Sequence, residues 1–322
     1  MLIQMQERIR EIRERQAAVV EKYGIVVDAA AQPLSDRLRD SGDVKRCESL
    51  SSREYLQAFR STPLICDASS VCDSDADGLM EALRTGYGDL QINQLDVSYG
   101  STLRIAKLAW FPPEDVLALQ SVASELTVRE FLDEAESGLI MYLSNLSIPE
   151  NFPRLLDFYR MPSLVGRNLL RPWSGRGCDQ ELFVGPAGTG FGRLHQDARG
   201  PLVCFLQLQG EKEFVLFPPE DRYALGAYRQ APRQAEMFSQ FDPFSERNSP
   251  GFDNADLHPY RAVLRAGEVL IMPPSWFHTS RNLTLSVTVA ERLWTPRNAR
   301  YLLRHYLMKA FSLCFPFLRG YP

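Results

Sequence analysis

The chain has 322 residues, of which 45% are hydrophobic and 24% are charged, a composition typical of a soluble globular protein with one large domain. Its formal net charge of −4 and its pI of about 5.7 argue against a nucleic-acid-binding protein, whose surface is usually basic. The sequence contains no run of 18 apolar residues, so no membrane span is predicted. The charged N-terminal stretch is not typical of a secretory signal. We therefore expect a cytoplasmic protein without a membrane partner.

The six cysteines show no C-x-x-C spacing, so neither a zinc knuckle nor a thioredoxin-type site is indicated. Cys204 lies in an apolar run and is expected to be a small core residue. A chain of this length does not need disulfides, and we expect reduced thiols.

Residues 1–85 are predicted to form a helical region that packs on the core. Apolar residues in the segment 2–22 have helical spacing, and this helix packs either on its own chain or on a second subunit. The sequence SSRE at 51–54 is a capping box that predicts the start of another helix. A short strand is predicted at 64–66, directly after Pro63.

Three aspartates, Asp73, Asp75 and Asp77, copy the opening of an EF-hand loop. That loop requires a bidentate Glu at its twelfth position, where this chain has Arg84. The aspartates are therefore predicted to be caps and first-turn acids of a helix over 79–84.

The segment 86–295 is predicted to be the main domain, and it changes character near residue 181. Before that point the predicted elements are strands at 90–97 and 102–108 joined by a turn at 98–101, a helix at 124–135, a strand at 139–143 and an irregular segment at 149–178. After it, Gly/Pro turns separate short strands at 181–184, 202–208, 213–217, 269–272 and 285–293. Many short strands without intervening helices favour an antiparallel sandwich or barrel.

A long polar loop with several aromatic residues connects two of these strands over 219–259. A loop of this length inside a compact domain is usually a lid or a binding element. Residues 297–313 are predicted to close the chain as a helix.

Two of the four histidines lie in the segments with the clearest β-pattern. His195 and Asp197 are two positions apart, so on one strand they point to the same face. His278 follows a Pro-Pro-Ser-Trp-Phe turn and precedes an alternating strand. Two imidazoles and one carboxylate are the ligand set of a facial-triad iron(II) site. The alternative is that His195 is a core or turn histidine and Asp197 a turn residue, because H-x-D alone is a weak motif.

The surrounding motifs make the pattern more specific. They stand in the order LTVREFLDEA, MYLSNL, ELFVGPAGTGFGRLHQD, FLQLQGEKEFVLFPPE and FDNADLHPYRAVLRAGEVLIMPPSWFHTSRNLTLSVTV, over roughly residues 120–295. In this the chain resembles the JmjC/cupin-like Fe(II)- and 2-oxoglutarate-dependent dioxygenases, in particular the branch of the hypoxia asparaginyl hydroxylase. The resemblance implies a mainly β fold with flanking helices around a double-stranded β-helix (jelly-roll) core.

The resemblance also implies a site. His195, Asp197 and His278 would bind iron(II), Lys212 would pair with the distal carboxylate of 2-oxoglutarate, and Tyr142 would donate a hydrogen bond to that carboxylate. The family's asparagines in the co-substrate pocket fall on Pro201 and Ala290, and a frequent Thr or Ser falls on Gly192. The residues that could compensate for these departures are Thr189, Arg193 and Thr288.

The function implied by the resemblance is oxygenation. With O2 as the oxidant and succinate and CO2 as co-products, the protein would hydroxylate an unactivated C–H bond of an amino-acid-like small molecule or of a peptide or protein side chain. Arg222, Tyr223 and Arg229 in the long loop are the predicted substrate contacts. One rival is a non-catalytic cupin-like binding or sensor protein, and another is a cupin metal enzyme without 2-oxoglutarate, such as an isomerase or a thiol dioxygenase.

The segment 296–322 is predicted to be a C-terminal helical segment that forms a homodimer, as in some relatives. Its helix has more apolar surface than one packed face needs. The apolar residues are Tyr301, Leu302, Leu303, Tyr306, Leu307, Phe311 and Leu313.

Overall fold

The structure, a computed structural model, describes most of the predicted core. It describes ten residues between 6 and 21, residue 38, and residues 41–70, 73–95, 105–106, 126–137, 142–160, 180–229, 236–244 and 256–314. The predicted turn at 98–101, the start of the predicted strand at 139–143 and residues 161–178 of the predicted irregular segment lie outside these ranges.

Two large sheets face each other and form the centre of the molecule. In spatial order the six-stranded sheet contains β1 (Gly42–Asp43), β13 (Tyr260–Arg265), β11 (Glu211–Phe217), β15 (Phe277–Asn282), β9 (Gly190–Gln196) and β12 (Met237–Phe238). The eight-stranded sheet contains β2 (Lys45–Cys47), β3 (Leu64–Asp67), β14 (Glu268–Met272), β10 (Leu202–Gln209), β16 (Ser286–Leu293), β8 (Gln180–Gly185), β6 (Tyr142–Ser147) and β5 (Ile105–Ala106). A separate pair is formed by β4 (Asp73–Ser74) and β7 (Tyr159–Arg160).

The chain crosses repeatedly between the two sheets. From β8 to β11, and again from β13 to β16, consecutive strands alternate between the eight-stranded and the six-stranded sheet. The pairings are antiparallel except those of β1 with β13 and β2 with β3. This arrangement confirms the predicted mainly β fold with a jelly-roll core.

The alternation of side chains along a strand decides what enters the space between the sheets. On β11, Phe214 and Leu216 belong to the apolar cluster between the sheets, whereas Val215 and Phe217 belong to a cluster on the outer face of the six-stranded sheet. Lys212 is in phase with Phe214, so the strand turns it inward.

The helices are α1 (Ser52–Arg60), α2 (Ala76–Gly86), α3 (Val128–Glu136), α4 (Ile148–Asn151) and α5 (Ala299–Cys314). The first four add buried side chains to an apolar cluster on the outer face of the eight-stranded sheet. Capping boxes with Ser51 and Thr127 as N-caps start α1 and α3, and such caps typically stabilise by about 1 kcal/mol. Asp75 caps α2 through a 2.9 Å hydrogen bond from the Gly78 amide, which confirms the assignment of this acidic segment as a helix start.

The structure differs from two of the predictions. Residues 42–47 and 64–67 form strands that extend both sheets, so the core begins well before residue 86 and the first 85 residues are not purely helical. The predicted strand at 90–97 is wrong over its described part, where Ile92–Gln94 form a 3-10 turn.

The N-terminal helix contacts the core in its own chain. Its described residues between 6 and 21 are helical, and Arg13 Nη2 lies 2.9 Å from Glu134 Oε2 on α3. None of the helices in the described ranges has the length and apolar character needed to cross a membrane.

The described parts of the long loop include a 3-10 helix and a strand that extends the six-stranded sheet. The loop begins with a 3-10 helix, Pro219–Arg222, and later forms β12, which pairs with β9. The buried Asp221 accepts hydrogen bonds from the His258 amide at 2.7 Å and from His258 Nδ1 at 2.8 Å. The start of the loop is thereby tied to its end.

Candidate metal and co-substrate site

Two neighbouring strands bring the three predicted metal ligands together. β9 and β15 pair antiparallel with His195 directly opposite His278, and their ring centroids are 4.2 Å apart. Asp197 follows the last residue of β9. The potential ligand atoms of the three side chains all lie within 4.8 Å of one another, although the ligands are 83 positions apart in the sequence.

Hydrogen bonds to backbone carbonyls orient both imidazoles. His195 Nδ1 lies 3.0 Å from the Arg193 carbonyl oxygen, and His278 Nδ1 lies 3.5 Å from that of Trp276. A carbonyl only accepts, so Nδ1 carries the proton and Nε2 presents a lone pair. Burial, followed by the nearby His278, lowers the pKa of His195 to about 4, and burial lowers the pKa of His278. Both rings are therefore neutral at pH 7, as metal binding requires.

Asp197 is held as a carboxylate despite being only 9% exposed. Burial by itself raises its pKa, but the Arg292 guanidinium gives the largest opposing effect, and the pKa lies below its usual value. Two neutral imidazoles and one carboxylate on one side of a cavity are the donor set of a 2-His-1-carboxylate centre. The residues present thus fit an iron(II) ion.

Lys212 is also buried deep inside the molecule, with 2% of its surface exposed. Its Nζ donates to Tyr142 Oη at 2.7 Å and to Thr288 Oγ1 at 3.4 Å. It also lies 5.1 to 5.7 Å from the centroids of three aromatic rings, those of Tyr142, Phe183 and Phe214. Burial lowers the pKa of Lys212 to about 7.

No carboxylate in the described part of the chain forms an ion pair with Lys212, and this matters because a buried cation needs an anionic partner. Its neighbours supply only hydroxyls and ring faces, which interact less strongly than an anion does. The residues around Nζ therefore fit a carboxylate brought by a ligand, such as the distal carboxylate of 2-oxoglutarate.

A polar network fixes Thr288 behind the lysine. Its hydroxyl donates to Gln207 Oε1 at 2.8 Å, and so it accepts from Lys212. Gln207 Nε2 in turn donates to Ser286 Oγ at 2.7 Å and to the Gln209 carbonyl at 2.8 Å. Gln207 and Ser286 were not predicted; each lies two positions from a residue of the network on its own strand, a signal that becomes useful only once the strand register is known.

One cavity of about 430 Å³, part of which opens to solvent, connects the two groups. Of the predicted residues, the three metal ligands, Lys212 and Tyr142 line it. Among the described residues, the lining consists of Tyr142, Asn145, Glu181, Phe183, Phe191, His195, Asp197, Val203, Phe205, Lys212, Phe214, His278, Ser280, Ala290 and Arg292.

The structure does not bring Thr189 into this lining. Its hydroxyl donates to the Pro186 carbonyl at 2.7 Å within the β8–β9 turn and accepts from Asn282 Nδ2 at 3.1 Å. Ala290 does line the cavity. Among the residues that could compensate for it, Thr288 contacts Lys212 through its hydroxyl. The Arg193 side chain is exposed.

The predicted substrate contacts lie outside the cavity lining. The Arg222 guanidinium stacks on the ring of Tyr223 at 5.5 Å, and Tyr223 is 85% exposed. Arg229 is also exposed. Besides Ser280, the charged and polar residues that line the cavity near the metal-ligand candidates are Asn145, Glu181 and Arg292, and none of the four was predicted from the sequence.

Comparisons with known proteins agree with this architecture. A family model described as a cupin-like domain matches residues 65–298. Among curated proteins, the chain is 32% identical over 174 residues to tRNA wybutosine-synthesizing protein 4 of Gibberella zeae, covering 49% of this chain and 15% of that protein. It is 31% identical over 130 residues to HSPB1-associated protein 1 of Rattus norvegicus, covering 40% of this chain and 26% of that protein.

A third relative is arginine-specific demethylase JMJ22 of Arabidopsis thaliana, which is 26% identical over 164 residues, covering 50% of this chain and 32% of that protein. The chain thus spans no more than about a third of the length of these curated relatives. The family model, in contrast, covers well over half of the chain and includes all three metal-ligand candidates together with Lys212. On this match, and with the jelly-roll core that the structure shows, the chain belongs to the family of cupin-like domains.

Proposed function

We propose that the protein is an Fe(II)- and 2-oxoglutarate-dependent oxygenase that hydroxylates an unactivated C–H bond. The observation that carries the proposal is the presence, in one cavity, of the His195–Asp197–His278 cluster and of a buried lysine without a carboxylate partner in the described chain. When bound, iron(II) and 2-oxoglutarate supply the oxidising chemistry, in which O2 is consumed and succinate, CO2 and a hydroxylated product are formed.

The three ligand side chains would hold the metal from one side. Their orientation is set in advance by backbone contacts of the two histidines and by the position of Asp197 at the end of β9. Three protein ligands leave further coordination positions for the co-substrate and O2.

Lys212 and Tyr142 would bind the distal carboxylate of 2-oxoglutarate. A carboxylate next to Nζ favours the charged ammonium, so binding is expected to be accompanied by protonation of Lys212 in those molecules where it is neutral. Phe183, Phe205 and Phe214 line the same space and exclude water, which strengthens the ion pair.

The substrate we propose is an amino-acid-like small molecule or a peptide or protein side chain. The name of the demethylase relative refers to arginine, which supports a side chain or free amino acid as the substrate class. Another relative is named for tRNA modification, but a net charge of −4 does not favour a nucleic acid as the partner of this chain.

A non-catalytic binding or sensor protein is the second candidate. It is favoured by Ala290, which places a methyl group in the cavity lining where relatives have a co-substrate-binding asparagine. A metal enzyme that does not use 2-oxoglutarate is less well supported, because it gives no role to the buried Lys212.

Anaerobic addition of iron(II) and 2-oxoglutarate tests the proposal. We expect a weak visible absorption band, followed by succinate formation when air is admitted. Lys212→Ala should abolish both signals. Lys45→Ala, which removes an exposed lysine 3.4 Å from Glu54, is the matched control and should retain them. A folded protein that shows no band, forms no succinate and is indifferent to Lys212→Ala would contradict the oxygenase proposal.

A further inference from the structure

A row of polar contacts that neither the metal ligands nor Lys212 account for crosses the cavity wall. It begins at Asn145 on β6, whose Nδ2 donates to Glu181 Oε2 on β8 at 3.3 Å. Arg292 Nη1 on β16 donates to the other oxygen of Glu181, Oε1, at 2.5 Å. Arg292 Nε then lies 3.5 Å from Asp197 Oδ1. The row therefore links three strands of the eight-stranded sheet to a metal-ligand candidate next to the opposite sheet.

The two oxygens of Asp197 face different partners. Oδ2 lies 3.9 Å from His278 Nε2, on the side of the ligand cluster, whereas Oδ1 lies on the side of Arg292. A guanidinium next to one carboxylate oxygen draws on the electron density of that oxygen, so the oxygen that faces away from it is the better metal donor. Arg292 is thus placed to decide which oxygen of Asp197 binds and in which direction it points.

We propose that Arg292 is a positioning residue, which Glu181 and Asn145 hold in place and which orients Asp197 so that Oδ2 alone serves the metal. The proposal rests on the metal site of the proposed function, although not on 2-oxoglutarate or on turnover. It gives Asn145, Glu181 and Arg292 one common role, that of orienting Asp197.

The burial of the row supports a defined position for each group. Glu181 is 1% exposed and Asn145 is 7% exposed, and 19% of the Arg292 side chain is exposed. Two different nitrogens of one planar guanidinium contact two carboxylates, and a lysine ammonium cannot reproduce this geometry. A buried charge pair of this kind restricts both partners to a narrow range of orientations.

The backbone of β6 is also adapted to this row. Asn145 has a φ of 56°, in the left-handed region that non-glycine residues rarely adopt, and β6 has a register shift between Leu143 and Leu146. Such conformations are energetically unfavourable and concentrate at functional sites. Here the irregular backbone lets the amide of Asn145 reach Glu181.

A second buried Arg–Glu pair provides a comparison. Glu213 on β11 is fully buried, and Arg281 Nε lies 2.6 Å from its Oε2. The partly exposed Arg261 contacts the other oxygen, Oε1, much as Asn145 adds a second contact to Glu181. The Glu213–Arg281 pair is on the outer side of the six-stranded sheet and does not line the cavity. It ties strands together as the Glu181–Arg292 pair does, but it has no contact with a metal-ligand candidate.

The test is Co²⁺ binding to the purified protein, measured by visible absorption without co-substrate. Glu181→Gln/Arg292→Met removes the pair without changing the net charge of the site. We expect Co²⁺ affinity to fall by about 10- to 100-fold, as for other residues that orient metal ligands, and the absorption spectrum to change. Glu213→Gln/Arg281→Met is the matched control and should keep the parental affinity and spectrum.

Arg292→Lys is a second variant that keeps both charges, and it serves if the double variant does not fold. We expect it to bind Co²⁺ with an altered spectrum and an affinity between those of the parent and the double variant. Parental affinity and spectrum in a folded variant at Glu181 and Arg292, or an equal loss in the control, would overturn the proposal. If the parent itself binds no Co²⁺, the proposed metal site fails, which is a separate outcome.

Discussion

At the scale of single residues, Lys212 places a buried amine where an apolar side chain would give a more stable fold. Its ammonium is buried among two hydroxyls and three aromatic rings, and burial lowers its pKa to about 7. A residue selected only for stability at this position would be apolar, since the space around Nζ is otherwise aromatic. The lysine is understandable if a ligand supplies the missing anion.

We predict that Lys212→Met stabilises the ligand-free protein and abolishes 2-oxoglutarate binding. Because the pKa of the lysine is lower in the folded than in the unfolded chain, its destabilising effect is full below pH 7 and declines as the pH rises towards 10.5. The gain should therefore be larger at pH 6 than at pH 9. At pH 6 we expect at least about 1 kcal/mol, or roughly 2 °C in the melting temperature.

Thermal unfolding at the two pH values checks this prediction, with Lys45→Met as the exposed control. The control should show no gain that depends on pH in this way. A Lys212→Met protein that is less stable than the parent at pH 6 would show that the lysine contributes more to folding than its burial costs.

The sequence predicted those site residues that stand inside specific motifs. The three ligand candidates, Lys212 and Tyr142 were named from the motifs that carry the family resemblance, and the structure brings all five into the lining of one cavity. Their binding roles stay predictions. Arg292 and Glu181 were missed because their role depends on contacts between distant parts of the chain. Arg292 on β16 and Glu181 on β8 lie on paired strands that are far apart in the sequence, and Asp197 follows β9 in the opposite sheet. Thr189 was chosen for its residue type, yet its hydroxyl is used by the local turn.

At the scale of elements, the site depends on the close approach of β9 and β15. A Cβ atom on Gly190 would lie 2.0 Å from the Ser280 carbonyl oxygen, so only glycine allows these strands to pair at this position. The same pairing sets His195 opposite His278. Gly190 and His195 lie on the same strand, β9, so the close contact of Gly190 with β15 helps to keep the two ligand strands paired.

Gly190→Ala is predicted to destabilise the protein by about 1–3 kcal/mol, the usual cost of forcing atoms into a packed region. It should also weaken Co²⁺ binding, because the two ligand strands have to separate. Gly86→Ala is the matched control, since a Cβ there meets nothing within 4 Å, and helix propensity makes it neutral or stabilising. Unfolding curves and Co²⁺ titrations of both variants decide the matter, and equal behaviour of the two would contradict the role of Gly190.

Elements with local signals were predicted best. The capping box SSRE predicted the start of α1, and the five strands predicted with bounds after residue 181 lie within about two residues of the observed ones. The helix predicted at 124–135 is present, but it begins at Val128, after the N-cap Thr127. The segment at 90–95 was mistaken for a strand because its apolar residues suggested alternation. In the structure Ile92 and Leu95 are the buried pair, which is the three-residue spacing of a tight helical turn.

At the scale of the whole molecule, the core is larger than its motifs indicate. The short strands β1, β2 and β3 come from the first 70 residues and add to the edges of both sheets. Strands of two to four residues carry little periodicity, and the core strands that β1 and β3 join lie about 200 positions away, while β2 pairs with β3. Such pairings are decided by the space left at a sheet edge, and the local sequence does not encode that.

The C-terminal helix is anchored to this core near its start. Asn298 Nδ2 donates to the Gly200 carbonyl at 3.2 Å and to the Leu293 carbonyl at 2.8 Å, and the ring of Tyr301 occupies the space where Gly200 lacks a side chain. Further along α5, Leu303, Tyr306 and Leu307 are 61%, 47% and 53% exposed. Spacings of three and four residues place them on one side of the helix.

We predict that this stripe forms a homodimer contact with a second copy of the chain, because water-exposed leucines at helical spacing gain from mutual burial. Leu303→Lys/Leu307→Lys should give a monomer by light scattering and leave the melting temperature of the core nearly unchanged, since neither side chain packs inside its own chain. Point variants test this better than truncation at Pro296, which would also remove Asn298 and Tyr301. Tyr223→Lys introduces charge at another exposed aromatic residue and should not alter the mass, and a parent protein that is already monomeric would contradict the prediction.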